Sequence, residues 1–289
     1  MSLTFSLNDG ARIPWLGFGT GTALYNKDST EAVKAAIQTG ITHLDGAQLY
    51  RNEQSLGQGI KDSGVPREKL FVTTKLAETP SAPTIKATLE TSLKNLGLDY
   101  VDLFLIHSPF VALKEGKLKA WWKEMEEIKK EGLAKSIGVS NFTVEHLQII
   151  LEDATVIPAV NQIELHPYLW DTASKIYEFC KEKGIIIESY GGLSPIVRAP
   201  GGTLDPVLAS TAERLSKESG TSVSPGQILS KWLIQKGVVV VTTSSKVSRI
   251  KEALSTASLP DLNADEISAI ESEGLKVHKR FFMKHVFNE

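Results

Sequence analysis

The sequence predicts an α/β chain folded as a (β/α)8 barrel, with an N-terminal β-hairpin, extra helices and a C-terminal loop. Three observations predict it. Short apolar, β-rich runs alternate eight times with longer helical stretches, a pattern that pairs strands in parallel through crossover helices. The runs are apolar nearly throughout, as in VDLFLIH (101–107) and GVVVVT (237–242), which fits strands buried on both faces. The chain has 289 residues, close to the ~250 of one such barrel. An open, doubly wound sheet is the alternative that the pattern alone leaves.

The elements follow in order. Residues 4–7 alternate apolar and polar, Asn8-Asp9-Gly10 is a turn, and residues 12–14 close a hairpin. Strands are expected at 16–20, 43–47, 70–75, 101–107, 136–140, 159–164, 185–189 and 238–242. Helices are expected at 30–38, 53–61, 82–96, 118–131, 144–152, 172–183, 206–219 and 247–255. Two segments lie outside the repeat. One is a helix at 224–236, before the last strand. The other is a helix at 263–273 with Asn263 and Glu266 spaced as a capping box, followed by the basic and aromatic tail KVHKRFFMKHVFNE. No linker rich in Pro, Gly or Ser divides the chain, so residues 1–289 read as a single barrel domain.

Composition narrows the function classes. Hydrophobic residues make up 42% and charged residues 23%, which excludes a disordered or fibrous chain. Lys+Arg 32 against Asp+Glu 34 leaves a net charge of −2 and favours neither nucleic acid nor an anionic membrane. The single cysteine, Cys180, allows no internal disulfide and is expected buried and inert. With no signal peptide or membrane-length apolar run in view, the cytoplasm is the expected location.

In a barrel of this kind the site forms at the C-terminal ends of the strands. Asp45 and Tyr50 follow strand two, Lys75 ends strand three and His107 ends strand four. These four would meet at one mouth. Singly, a strand aspartate or histidine has an ordinary structural role, but a lysine ending an apolar strand does not. Tyrosine titrates near pH ~10. An ammonium beside it favours the phenolate, so Lys75 is expected to lower the pKa of Tyr50, with Asp45 holding Lys75 charged. The outcome would be a general acid, with His107 orienting the substrate oxygen.

Several motifs carry a family resemblance along nearly the whole chain. They are LDGA (44–47) with Tyr50, Asn52 and Glu53; TKL (74–76); GLDYVDL (97–103) leading to IHSP (106–109); GVSNF (138–142); and NQIE (161–164) followed by His166-Pro167-Tyr168. The sequence resembles an aldo-keto reductase, and is most similar to the fungal ketone-reductase branch (conjugated polyketone reductase-like), where segments such as SYGGLSP (189–195) and TTSSK (242–246) occur. The resemblance implies a tetrad of Asp45, Tyr50, Lys75 and His107. It also implies hydride transfer from NADPH to a ketone or aldehyde, without a Rossmann fold. The run Gly17-Phe18-Gly19-Thr20-Gly21 lacks the G-x-G-x-x-G spacing and an immediate helix, and is not a dinucleotide fingerprint.

By the same resemblance, Gly19 and Thr20 lie at the cofactor, Ser140, Asn141 and Gln162 hold the carboxamide, and Tyr190 stacks on the nicotinamide. Gly191 and Leu193 belong to a loop folded over the pyrophosphate. The family commonly has a lysine at the position of Thr243. Here Ser244, Lys246 and Arg249 are expected to take the 2′-phosphate, a dianion suited to Arg and Lys. Gly21, Ala77 and Ser108 stand where many relatives carry tryptophans, which implies a roomier pocket for bulky or cyclic ketones or dicarbonyls. Phe281, Phe282 and Phe287 either cover that pocket as a lid or dock the tail. The family habit is a monomer, with homodimers known.

Three rivals are set against this. A metal-dependent hydrolase is disfavoured because the six histidines contain no H-x-H or H-E-x-x-H pair. A Schiff-base lyase at Lys75 would need a lysine of lowered pKa. A cofactor-binding barrel with a regulatory role would not need the tetrad. The partner expected is a small carbonyl compound, with no metal.

Overall fold

The computed structural model describes residues 3–77 and 84–287. Strands β1 (Thr4–Ser6) and β2 (Arg12–Pro14) pair antiparallel as the expected hairpin. Eight further strands follow: β3 (Leu16–Gly19), β4 (His43–Asp45), β5 (Phe71–Leu76), β6 (Val101–Ile106), β7 (Ala134–Ser140), β8 (Val160–Glu164), β9 (Ile186–Tyr190) and β10 (Val239–Thr242). They pair in parallel in sequence order and close β10 against β3, so the barrel is the fold and the open sheet is excluded. Each expected strand is present within two residues of its predicted ends.

The helices follow the prediction with small shifts. Trp170–Glu182 begins two residues early, because Pro167 starts a 3-10 turn that runs straight into it. Ile85–Leu96 occupies the later part of the helix expected at 82–96, whose first residues lie outside those described. The extra helices are Pro225–Gln235 and Ala264–Leu275. The second carries the Asn263/Glu266 capping box, and the first has its own, made by Ser224 and Gln227. Short helices at Phe110–Lys114, Ser194–Val197 and Lys284–Phe287 had no clear sequence signal. Among the described residues no helix is long and apolar enough to cross a membrane.

Side chains alternate across each strand. The apolar outward set meets the helices: Phe104 and Ile106 of β6 join a core with Trp122, Leu89 and Met125. The inward set at the lower end is also apolar, and there Leu103, Leu105, Phe71, Val160 and Val239 pack against Leu7 and Ile13 of the hairpin. The hairpin therefore stops the N-terminal end, and polar inward residues are left to the other end. Trp121, Trp122 and Cys180 are buried structural residues, and burial pushes the Cys180 thiol up to about 12.

Two glycines are needed by close packing. A Cβ on Gly57 would stand 2.1 Å from the carbonyl oxygen of Leu96, and one on Gly138 would stand 2.5 Å from that of Val160. Both obstacles are backbone. Gly57→Ala is expected to destabilise the protein by about 3 kcal/mol through overpacking, read as a lower denaturant midpoint at unchanged slope. An unchanged midpoint would contradict this packing.

Candidate active site

The period-two walk along the strands brings Asp45, Lys75, Gln162 and Glu188 into the barrel interior, all of them buried. Lys75 has no exposed surface. Its Nζ donates to both carboxylate oxygens of Asp45 at 2.7 Å, to the Gly46 carbonyl at 2.9 Å and to Tyr50 Oη at 3.4 Å. Burial works against the ammonium, but Asp45 and, more weakly, Tyr50 and Glu188 outweigh it and raise the Lys75 pKa. Tyr50 reaches this point from a 3-10 turn, Gln48–Tyr50, that follows β4. His107 packs edge-on against the Tyr50 ring, with 5.6 Å between centroids. The four expected residues do meet.

The acidity expected of Tyr50 is corrected. Burial raises its pKa, and the Lys75 charge opposes burial without overcoming it. The phenol is therefore protonated at neutral pH. Lys75, 3.4 Å away, stabilises the phenolate and so keeps the pKa below where burial alone would put it. Burial, with Lys75 nearby, pushes His107 down to about 3, so its ring is neutral across the physiological range.

A cavity of about 720 Å³ opens above the quartet. Asp45, Tyr50, His107, Asn141, Gln162 and Tyr190 line it, with Gly19, Gly191 and Leu193. A second cavity, about 740 Å³, shares Leu193, Val197, Thr242 and Thr243 with the first and reaches Ser244 and Arg249. The two adjoin at Leu193 and form a trough from the acid to the Arg249 guanidinium.

Five expected contacts do not line it. Thr20 is turned to the Asp45 carbonyl, to which both its N–H and its hydroxyl donate, so it supports Asp45. Ser140 donates to the Gln162 carbonyl at 2.8 Å and lies behind the wall. Lys246 is exposed beyond Ser244, whose Oγ accepts from the Lys246 N–H. Ala77 and Ser108 do not border the cavity either: Ala77 is tied through its N–H to Gln48 Oε1, and Ser108 is buried. Gly21 does line it, but its smallness serves Tyr50, since a Cβ there would come within 3.0 Å of the phenol ring.

The trough fits a dinucleotide on its own chemistry. Gln162 gives one N–H to Asp45 and the other to Glu188, at 2.8 Å each, which leaves its amide oxygen for a ligand. Tyr190 Oη donates to Asn141 Oδ1 at 2.7 Å, which fixes the ring as a shelf, and Asn141 holds a left-handed backbone, φ 63°, to reach it. Gly191 also has positive φ, 70°, and the Ser194 hydroxyl beside it is buried with no hydrogen-bond partner among the described residues. Thr243 donates to the Gly19 carbonyl at 2.7 Å and so braces the end of β10 against β3.

Two features were missed from the sequence. Glu188 is one: it stands on β9, two residues before Tyr190 and on the same face, but its residue type alone assigns it no role. The other is Glu164, whose buried carboxylate accepts the backbone N–H groups of Phe281 at 2.9 Å and Phe282 at 3.0 Å. This ties the tail over the site. Phe282 lines the cavity edge-on to Tyr190, under the Arg198 guanidinium at 4.5 Å, while Phe281 packs on His166 and Phe287 on Phe110. The tail is docked, and one of its three rings covers the site. Among the described residues no His/Cys/Asp/Glu group is disposed to hold a metal.

A neutral His107 makes a direct prediction. Its ring resonances should show no titration between about pH 8 and pH 4, whereas an ordinary histidine would titrate near ~6.5. A midpoint near neutrality would refute the burial assigned to it.

Comparison with known proteins identifies the family. Residues 15–273 match the aldo/keto reductase family model. The NAD/NADP-dependent indole-3-acetaldehyde reductase of Schizosaccharomyces pombe is 42% identical over 96% of this chain and 97% of its own. The NADPH-dependent alpha-keto amide reductase of Saccharomyces cerevisiae is 38% identical over 94% and 91%. The crystal structure of an aldo/keto reductase from Brucella melitensis superposes with a TM-score of 0.83 at 36% identity, covering 94% of this chain and 100% of that one. A quartet at the mouth of a closed eight-stranded barrel, together with a match over most of its length, makes this chain a member of the aldo/keto reductase family.

Proposed function

We propose that this oxidoreductase reduces ketones or aldehydes to alcohols with NADPH, and that Tyr50 supplies the proton. The observation that carries the proposal is the Tyr50 phenol lying 3.4 Å from the Lys75 ammonium in the wall of an open cavity. The cofactor contributes a hydride. Asn141, Gln162 and Tyr190 would hold its nicotinamide end, the Gly191–Ser194 turn its phosphates, and Ser244 with Arg249 the 2′-phosphate. Lys246 stands by as a second cation.

The chain's own groups do the proton chemistry. Tyr50 donates to the carbonyl oxygen as negative charge develops there, and Lys75 stabilises the phenolate left behind. His107, being neutral, has one N–H to give to the same oxygen. Asp45 keeps Lys75 charged. A Schiff base at Lys75 is disfavoured, because Lys75 does not line the cavity and its raised pKa denies it a free lone pair.

Tyr25, Leu49, Val197, Phe282 and Met283 give the cavity an apolar rim, which supports bulky or cyclic ketones or dicarbonyls as substrates. A lone buried thiol with NADPH as reductant suits the cytoplasm.

Tyr50→Phe should lower kcat for reduction by about 10²- to 10⁴-fold while leaving NADPH binding, followed by fluorescence, unchanged; more than a tenth of the activity remaining would end the assignment. Arg249→Ala should raise KM for NADPH by about 10- to 100-fold, the worth of a hydrogen bond to a charged group, with KM for NADH unmoved. Equal shifts for the two cofactors would remove Arg249 from the 2′-phosphate.

A further inference from the structure

The quartet leaves one buried acid in the barrel without a task. Glu188 lies in the middle of β9 with no exposed surface. Its Oε2 accepts from Gln162 at 2.8 Å. Among the described residues its Oε1 has no hydrogen bond, and it stands 3.5 Å from His43 Nε2. The titratable groups that face it are His43 and Asp45 from β4 and Lys75 from β5, with Tyr50 farther out. Its strand neighbours, Gln162 on β8 and Val239 on β10, carry no charge.

A charge count decides its state. Asp45 and Lys75 cancel. Burial pushes His43 down to about 4, so it is neutral at pH 7. An ionised Glu188 would be one uncompensated negative charge in a dry interior, where proteins protonate the group instead. Burial, and then Asp45, push its carboxyl up to about 8. The proton has an obvious place on Oε1, the oxygen without a partner.

We propose that Glu188 is a positioning residue of this site: as a neutral acid it fixes the Gln162 amide, and once ionised it sets a second negative charge against the Asp45–Lys75 pair and blunts Tyr50 as an acid. The proposal rests on the reductase function of the site, because it acts on the reaction only through Gln162 and Tyr50. The first effect is geometric. Carboxyl oxygens of Asp45 and Glu188 each claim one N–H of Gln162, so the amide oxygen is the atom left for a cofactor carboxamide. The second effect is electrostatic. A negative Glu188 favours the protonated phenol, so Tyr50 gives up its proton less readily. The sign follows: reduction is faster below the Glu188 midpoint and steps down as pH rises through it.

The test compares wild type with Glu188→Gln, using kcat/KM for carbonyl reduction from about pH 6 to 10 and the infrared band of a protonated carboxyl over the same range. The wild type should show a step of about three- to tenfold, the size expected when an acid weakens by up to one pKa unit. Its carboxyl band should vanish with the same midpoint, near 8, and Glu188→Gln should lack both. A step that persists in Glu188→Gln, or a wild type with no protonated carboxyl at neutral pH, overturns the proposal. If Glu188→Gln does not fold, Glu188→Asp takes its place: the kinetic and infrared midpoints must move together, and midpoints that separate overturn it. A wild type whose carboxyl titrates near 8 but which reduces no carbonyl refutes the reductase function and not the location of the proton.

Discussion

The buried ion pair between Lys75 and Asp45 is the constraint around which the upper barrel is arranged. A lysine without exposed surface must be neutralised where it lies, and Asp45 does so with both oxygens at 2.7 Å. Removing either partner alone would leave an unpaired charge in the interior, which is strongly destabilising. Much of the neighbourhood follows from the pair. Thr20 secures the backbone of Asp45, Gln162 turns its amide nitrogen toward the Asp45 carboxylate, and Tyr50 lies with its hydroxyl within reach of the ammonium. Glu188, next in the same interior, has no cation left to pair with.

The pair also divides the work of acid catalysis between two states of one tyrosine. Burial keeps the phenol protonated, and the ammonium waits for the phenolate. An acid of this kind is well suited to an enclosed site, since it does not lose its proton to solvent before the substrate arrives and is not left with a costly anion afterwards.

The barrel was legible because its strands are buried on both faces and therefore read as apolar runs, and because crossover helices separate them at regular intervals. The quartet was legible because a lysine closing such a run has no ordinary explanation. Other features depend on distances that residue types do not carry. Thr20 and Ser140 have the right chemistry for a ligand, but their hydroxyls face backbone carbonyls. Ala77 and Ser108 are small yet lie outside the cavity wall. The direction of the Tyr50 shift turns on how much water reaches the phenol, which no spacing of residues reveals. The contact between Glu164 and Phe282 spans 118 positions of sequence and leaves no local mark.

That contact has a consequence for how the enzyme can diversify. Glu164 grips the tail through main-chain N–H groups, so the grip is blind to which side chains stand at 281 and 282. The ring placed against Tyr190 and under Arg198 could be exchanged for another shape while the strap stays fastened. The barrel thus separates the part that holds the tail from the part that meets the ligand, and selection can retune the second without loosening the first.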